Sequence, residues 1–260
     1  MSLRDQPALD SLELIVVVDN ETDTLSSIDP AVDQVPEMAS LLQRLPASRE
    51  HDGHDGICVF DHLCVACHGL SVLVRGTLDG RTRTALFDVG PYGDVWLDNV
   101  ERLGIDLTEI ETIFLSHWHA DHSGGFPTAV AAVAEARARA GIAAPIVDLH
   151  PDRPDQRGVQ LPTGAFALLP PEPTIEELEA AGGRIELNDQ PHAVAEFFVG
   201  SGEIDRVTAY ETGLAGHFTW RGDDGEADPL IMDERFLAAN VRGRGVSVLS
   251  ACSHAGVVNA

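Results

Sequence analysis

The run Phe114-Leu115-Ser116-His117-Trp118-His119-Ala120-Asp121-His122-Ser123-Gly124-Gly125 constrains this chain more than any other feature. A short apolar strand, Thr112 to Leu115, leads into a loop with three histidines and one aspartate in close succession. His117 and His119 are two apart, so in extended backbone they project to the same side. Asp121 and His122 follow as the chain turns, and Ser123-Gly124-Gly125 is expected to let the backbone bend tightly around whatever they hold. Neutral imidazole suits zinc, and the carboxylate adds a hard oxygen and a negative charge. Two ligand pairs this close can serve two metals that share one water, the arrangement that generates a hydroxide nucleophile near neutral pH. A fold that carries this loop must bring a buried strand end to an open edge.

The remaining chain supplies such elements. Leu12 to Val18 is β-branched and reads as an opening strand ended by Asp19-Asn20. Residues 21–56 form a long polar connection with Pro30, Pro36 and Pro46, a short helical piece around Met38 to Leu45, and solvated His51 and His54. A connection of this length is expected to contribute to a lid. Leu70 to Arg75 and Thr82 to Asp88 form a hairpin about Asp79-Gly80. Trp96, Val100 and Leu103 make one apolar helix face closed by Gly104, and Pro127 opens an alanine-rich helix that Gly141 ends. Strands are expected at Pro145 to Leu149, Arg184 to Leu187, Ala195 to Gly200, Leu230 to Val241 and Val246 to Ser250. Ile175 to Ala181 is a short helix, 152–173 an irregular excursion, and Gly222 to Asp228 an exposed acidic turn. Strands mixed with helices place the chain in the α/β class, as a single domain over 1–260.

At its histidine loop the sequence resembles the metallo-β-lactamase-fold superfamily, whose signature is His-x-His-x-Asp-His. Leu86-Phe-Asp88-Val-Gly90, Leu103-Gly-Ile-Asp-Leu107, His150-Pro151, Ser201-Gly-Glu-Ile204 with Arg206, and Ala251-Cys-Ser-His254-Ala-Gly256 extend the likeness. They are similar to one branch, that of 7,8-dihydropterin-6-methyl-4-(β-D-ribofuranosyl)aminobenzene 5'-phosphate synthase. The resemblance implies an αββα sandwich with the metal loops along one edge. It implies a first metal on His117, His119 and His254, with His150, His192 and His217 as rivals for the third place. His254 is preferred because it follows an apolar strand and stands in the branch's Cys-Ser-His segment. The second metal would use Asp121 and His122, and no further ligand is found downstream. Asp88 is expected to fix the metal loop by accepting a hydrogen bond. Asp121 is also expected to orient the attacking water. The implied cofactor is one or two zinc ions, with iron or manganese as alternatives.

The resemblance implies an enzyme acting on a phosphate- or ester-bearing small molecule, by hydrolysis or by a synthase-like condensation. A weakly active or non-catalytic metal-binding protein is the alternative. In the branch further strands and helices follow the Cys-Ser-His segment, so the C-terminal part of the sandwich is expected to be missing here. Val246 to Ser250 then reads as an interior strand with an uncovered neighbour edge, which favours self-association.

Composition narrows the partners. The net charge is −25, and all 17 basic residues are arginine. Such a surface repels phosphate backbones, so no nucleic acid partner is expected. It looks halophile-like, since about 1 M salt shortens screening to roughly 3 Å; a coding bias toward arginine is the other reading. The longest early apolar run, Leu14 to Val18, is too short for a membrane span and lacks a basic leader, so the expected location is cytoplasmic and no membrane partner is expected. Cys64-Val-Ala-Cys67-His68 matches c-type haem spacing and, with His51, His54 or His62, a zinc clip. The branch has a similar His-Gly at the start of its strand, which favours a plain strand entry.

Overall fold

The computed structural model describes residues 6–22 and 42–260. Most of the 21–56 connection and its helical piece around Met38 to Leu45 fall outside them; within them, residues 42–44 are helical. In chain order the first strands are β1 (Ser11–Val18), β2 (Arg49–His51), β3 (His54–Gly56), β4 (Ser71–Leu78), β5 (Arg81–Phe87), β6 (Thr112–Phe114) and β7 (Ile146–Leu149). Then come β8 (Gln156–Gln160), β9 (Phe166–Leu168), β10 (Arg184–Leu187), β11 (His192–Val194) and β12 (Phe198–Gly200). The last are β13 (His217–Arg221), β14 (Asp224–Ala227), β15 (Leu237–Val241) and β16 (Gly245–Leu249). Beyond the turn at 42–44, the α-helices among the described residues are α1 (Gly93–Leu103), the single turn α2 (Ala120–Ser123), α3 (Phe126–Arg139) and α4 (Ile175–Ala180).

The main sheet has the order β1-β4-β5-β6-β7-β10. Its first three strands are antiparallel and its last four parallel, so both hairpin and crossover connections feed it. The β4–β5 turn puts Asp79 at φ 49° and Gly80 at φ 76°, the left-handed pair that a two-residue hairpin with the strands' own twist requires. Gly104 caps α1 at φ 68°, and Thr174 and Glu177 close a reciprocal capping box on α4.

One face of the main sheet is buried under helices through Trp96, Val100, Phe126, Val130, Val133 and Leu178. The other face is covered by a second sheet, β11-β12-β15-β16. There Phe87 and Phe114, whose rings stack 5.9 Å apart, share a core with Phe197, Phe198 and Leu237. The layers are therefore helix, sheet, sheet, in an α/β fold with mixed strands. No helix follows Ala180 among the described residues, so the outer helical layer of an αββα sandwich is not seen there.

Several local expectations need correction. The excursion at 152–173 contains β8 and β9, which join β13 and β14 in a third sheet of order β14-β13-β8-β9. Ala195 and Glu196 take φ 44° and 66° in a tight turn after β11, so the strand expected over Ala195 to Gly200 begins only at Phe198. The strand expected from Leu230 begins only at Leu237, because Asp233, Glu234 and Arg235 are buried and bind side-chain and backbone groups elsewhere. Finally, β16 is an edge strand, with Val246 and Val248 about half exposed, and not an interior one.

Candidate metal centre

Three neighbouring parallel strands, β5, β6 and β7, end at the same edge of the main sheet and hand over to Asp88, Ser116-His117 and His150. Carboxyl ends of parallel strands are where α/β sheets gather ligand-binding groups. Asp88 sits in the left-handed region at φ 58°, a conformation that costs energy for a residue with a Cβ. It is held by three donors. Its Oδ1 accepts the Ser116 N–H at 2.7 Å, and its Oδ2 accepts the Ser116 hydroxyl at 2.7 Å and His122 Nδ1 at 2.8 Å. A carboxylate on the far nitrogen of a ligating histidine fixes both tautomer and ring orientation.

His119 starts α2, which carries Asp121 and His122. The two following glycines are both right-handed, so their role is space and not backbone freedom. A Cβ on Gly124 would lie 2.5 Å from the Pro91 carbonyl oxygen, and one on Gly125 would lie 2.6 Å from the Val89 side chain.

Opposite this loop, the segment after β16 brings up Cys252 and His254, and β13 brings up His217. The His254 ring lies 5.0 Å from those of both His117 and His119. Two groups of ligand atoms lie within 4.8 Å of one another: His117, Cys252 and His254, and Asp121, His122 and Cys252. His119 Nδ1 faces His117 Nε2 at 2.9 Å, and its Nε2 faces His217 Nε2 at 2.9 Å.

Proton counting shows what this cluster lacks. The Ser116 hydroxyl donates to Asp88, so it accepts from His117 Nδ1 at 2.9 Å and leaves His117 Nε2 bare. His217 Nδ1 donates to the Asp228 carbonyl at 2.6 Å, which leaves its Nε2 bare as well. A neutral His119 has one N–H to offer two bare nitrogens, so one contact sets lone pair against lone pair. Protonation does not relieve this. Burial, then Arg157 and the neighbouring His254 and His217, push His119 well below the usual histidine range. Burial and the surrounding imidazoles do the same to His117. Burial and His217 lower His254 to about 4, and its buried Nε2 has no partner. Neutral, inward-facing nitrogens short of a cation are what a divalent metal fits. Partial burial raises Asp121, but the adjacent His122 outweighs it and brings the carboxyl down to about 2. Burial disfavours charge on His122, yet Asp88, Asp121 and Cys252 together raise it well above the usual range.

One buried tripeptide ties the two ligand segments to the sheet. Asp233 accepts the Trp118 N–H at 2.7 Å and pairs with buried Arg157 at 2.6 Å. Glu234 accepts the N–H groups of His254 at 2.9 Å and Ala255 at 2.5 Å. Arg235 donates to the Leu115 carbonyl at 2.6 Å and to Asp148 at 2.7 Å, and stacks over the Phe114 ring.

A cleft of about 540 Å³ opens beside Asp121. Pro91, Pro127, Pro170, Pro171 and Tyr92 give it flat, rigid walls, and Glu172 lines its base. Glu172 is buried and touches the Ser123 hydroxyl, which also reaches the His119 carbonyl. One hydroxyl proton cannot serve both oxygens, so a proton on Glu172 completes the chain. Burial raises Glu172 to about 7, above the 4.5 of a free glutamate. The folded state thus prefers the protonated acid, and stability falls as pH climbs from about 4.5 to about 7, by roughly 3 kcal/mol at most. Glu172→Gln is expected to flatten that fall and to be the more stable form at pH 8. Urea unfolding of both proteins at pH 5 and pH 8 checks this; equal pH dependence would refute it.

The structure brings together His117, His119, Asp121, His122, His254 and Asp88. Among the rivals, His217 joins the cluster, His192 instead binds Asp148 at 2.6 Å, and His150 faces Glu203 at 3.4 Å. Cys252 did not emerge as a site residue from the sequence. The available signal was its place two residues before His254, but Ser253 turns left-handed at φ 53°, which spacing alone does not disclose. Neither Cys64 nor Cys67 enters a metal-capable group among the described residues, and Cys67 packs against the main core.

The model of the Metallo-beta-lactamase superfamily matches residues 64–217. A curated protein of Methanocaldococcus jannaschii, named 7,8-dihydropterin-6-methyl-4-(beta-D-ribofuranosyl)-aminobenzene-5'-phosphate synthase, is 27% identical over 195 residues. The match covers 74% of this chain and 63% of that protein. Among solved structures, the Cronobacter sakazakii metallo-beta-lactamase with the HARLDQ motif is 16% identical, with a TM-score of 0.35 over 70% of this chain and 55% of that one. MIM-1 from Novosphingobium pentaromativorans is 16% identical, with a TM-score of 0.32 over 69% and 53%. No described helix is long and apolar enough to cross a membrane.

Proposed function

Because the chain belongs to the metallo-beta-lactamase superfamily, we propose that it is a metal-dependent enzyme acting on a small molecule that bears a phosphate or ester group. The observation that carries this reading is the lone-pair conflict at His119, set beside a cleft that Asp121 borders. His117, His119 and His254 would hold a first metal, and Asp121 with His122 would serve a second. Zinc, iron and manganese all suit such imidazole and carboxylate donors. A metal bound there would supply Lewis acidity and the means to activate a water near neutral pH. Asp121, ionised and partly exposed, orients the attacking group from the cleft side. The proline and tyrosine walls position the substrate and shed water from around it.

Condensation is the second reading. The named activity of the Methanocaldococcus jannaschii relative favours it, though the chain spans only 63% of that protein's length. The two readings are separated by loading the protein with zinc or manganese and offering a phosphodiester, a phosphomonoester and a carboxylic ester. Metal-dependent release of product that His119→Ala removes is the expected result. A fully loaded protein that turns over none of these, yet joins an aryl amine to a pterin pyrophosphate, is the synthase. One that does neither is a metal-binding protein, and the enzymatic reading is then wrong.

A further inference from the structure

The second metal position, as drawn from Asp121 and His122, has too few protein donors to hold an ion well, while the first is crowded with imidazoles. Cys252 lies between them. Its Sγ is 3.1 Å from His122 Nε2, and it falls within 4.8 Å of the ligand atoms of Asp121 and His122 on one side and of His117 and His254 on the other. We propose that the Cys252 thiolate is a ligand shared by both metal positions, bridging the His117–His254 side to the Asp121–His122 side.

This rests on the metal-dependent reading above and deepens it. Four features support the assignment. First, Cys252 is the side chain common to both metal-capable groups among the described residues. Second, His122 gives its Nδ1 to Asp88, so its Nε2 is the atom turned toward the sulfur, and ring and thiol converge on one point. Third, the sulfur is not placed by a loose loop. Glu234 clamps the next residues but one through the His254 and Ala255 amides, and the Ser250 and Ser253 hydroxyls close at 2.8 Å across Cys252. Fourth, the charges suit it. The first position offers neutral imidazoles, so without sulfur Asp121 is the lone anion among the ligands of two dications. A thiolate between the cations adds a second negative charge where their mutual repulsion is greatest. Binding releases the thiol proton to solvent, since a coordinating thiol is deprotonated outright. Soft sulfur with imidazole further biases the site toward zinc over manganese.

The test uses the metal-free full chain titrated with cobalt(II). A sulfur-to-cobalt charge-transfer band in the near ultraviolet is expected, growing through both equivalents, and Cys252→Ser is expected to abolish it and to halve the tightly held metal. In parallel, zinc should block iodoacetamide labelling of Cys252 while exposed Cys58 remains labelled as an internal control. A d–d spectrum without a sulfur band, two equivalents retained by the serine variant and unprotected Cys252 would overturn the thiolate ligand while leaving the metal site standing. A band confined to one equivalent overturns the sharing. Failure to take up cobalt at all sinks the metal-dependent reading itself.

Discussion

Replacing His117, His119, Asp121 and His122 together by alanine is expected to reduce bound divalent metal to background. The four substitutions remove three imidazoles that point into one space and the carboxylate beside them. His254 and Cys252 would remain, too few to complete a tetrahedral shell. The fold around them should persist, because Asp88 keeps both of its Ser116 donors after His122 is gone. Circular dichroism would establish that the variant is folded, and elemental analysis after dialysis would give its metal content. Unchanged content in a folded variant sinks the assignment.

Asp233→Ala is expected to cost about 3–5 kcal/mol of stability, the range for removing one partner of a buried ion pair. Asp233 and Arg157 are both fully buried. Burial alone would raise the Asp233 acid, but Arg157 outweighs it and holds the group ionised. Without Asp233 the guanidinium keeps its bonds to the Trp118 carbonyl and the Thr219 hydroxyl, but as an ion pair only the longer 3.3 Å contact to the more exposed Asp228, and the Trp118 N–H loses its acceptor. Against a typical total stability of about 5–15 kcal/mol, that is a large share. Trp118 lies between His117 and His119, so metal affinity should fall with stability. Urea unfolding reads the first effect; a loss below about 1 kcal/mol would mean that Arg157 finds other partners.

The ligand loop, the β4–β5 turn and the ends of α1 and α3 are legible in the sequence because each depends on neighbours a few residues away. A strand followed by His-x-His, a left-handed Asp-Gly and a capping glycine are local statements. The third sheet was not legible. Its strands are short, and β9 and β14 are exposed throughout, so no alternation of polar and apolar residues marks them. His217 enters the cluster only because β13 pairs with β8, a choice made by tertiary contacts. Asp233, Glu234 and Arg235 fall inside the strand expected from Leu230, and their burial outside any strand becomes intelligible only through partners as distant as Leu115 and His254.

That buried tripeptide also orders events in time. His122 and Cys252 are 130 residues apart along the chain, and the entropy of closing so long a loop must be met before any contact across it can help. The β4–β5 hairpin and the helices need no such closure and can form early. The tripeptide 233–235 binds both ligand segments, so assembly of the cluster is expected among the last steps of folding. A metal-sensitive optical signal during refolding would therefore time that closure of the chain.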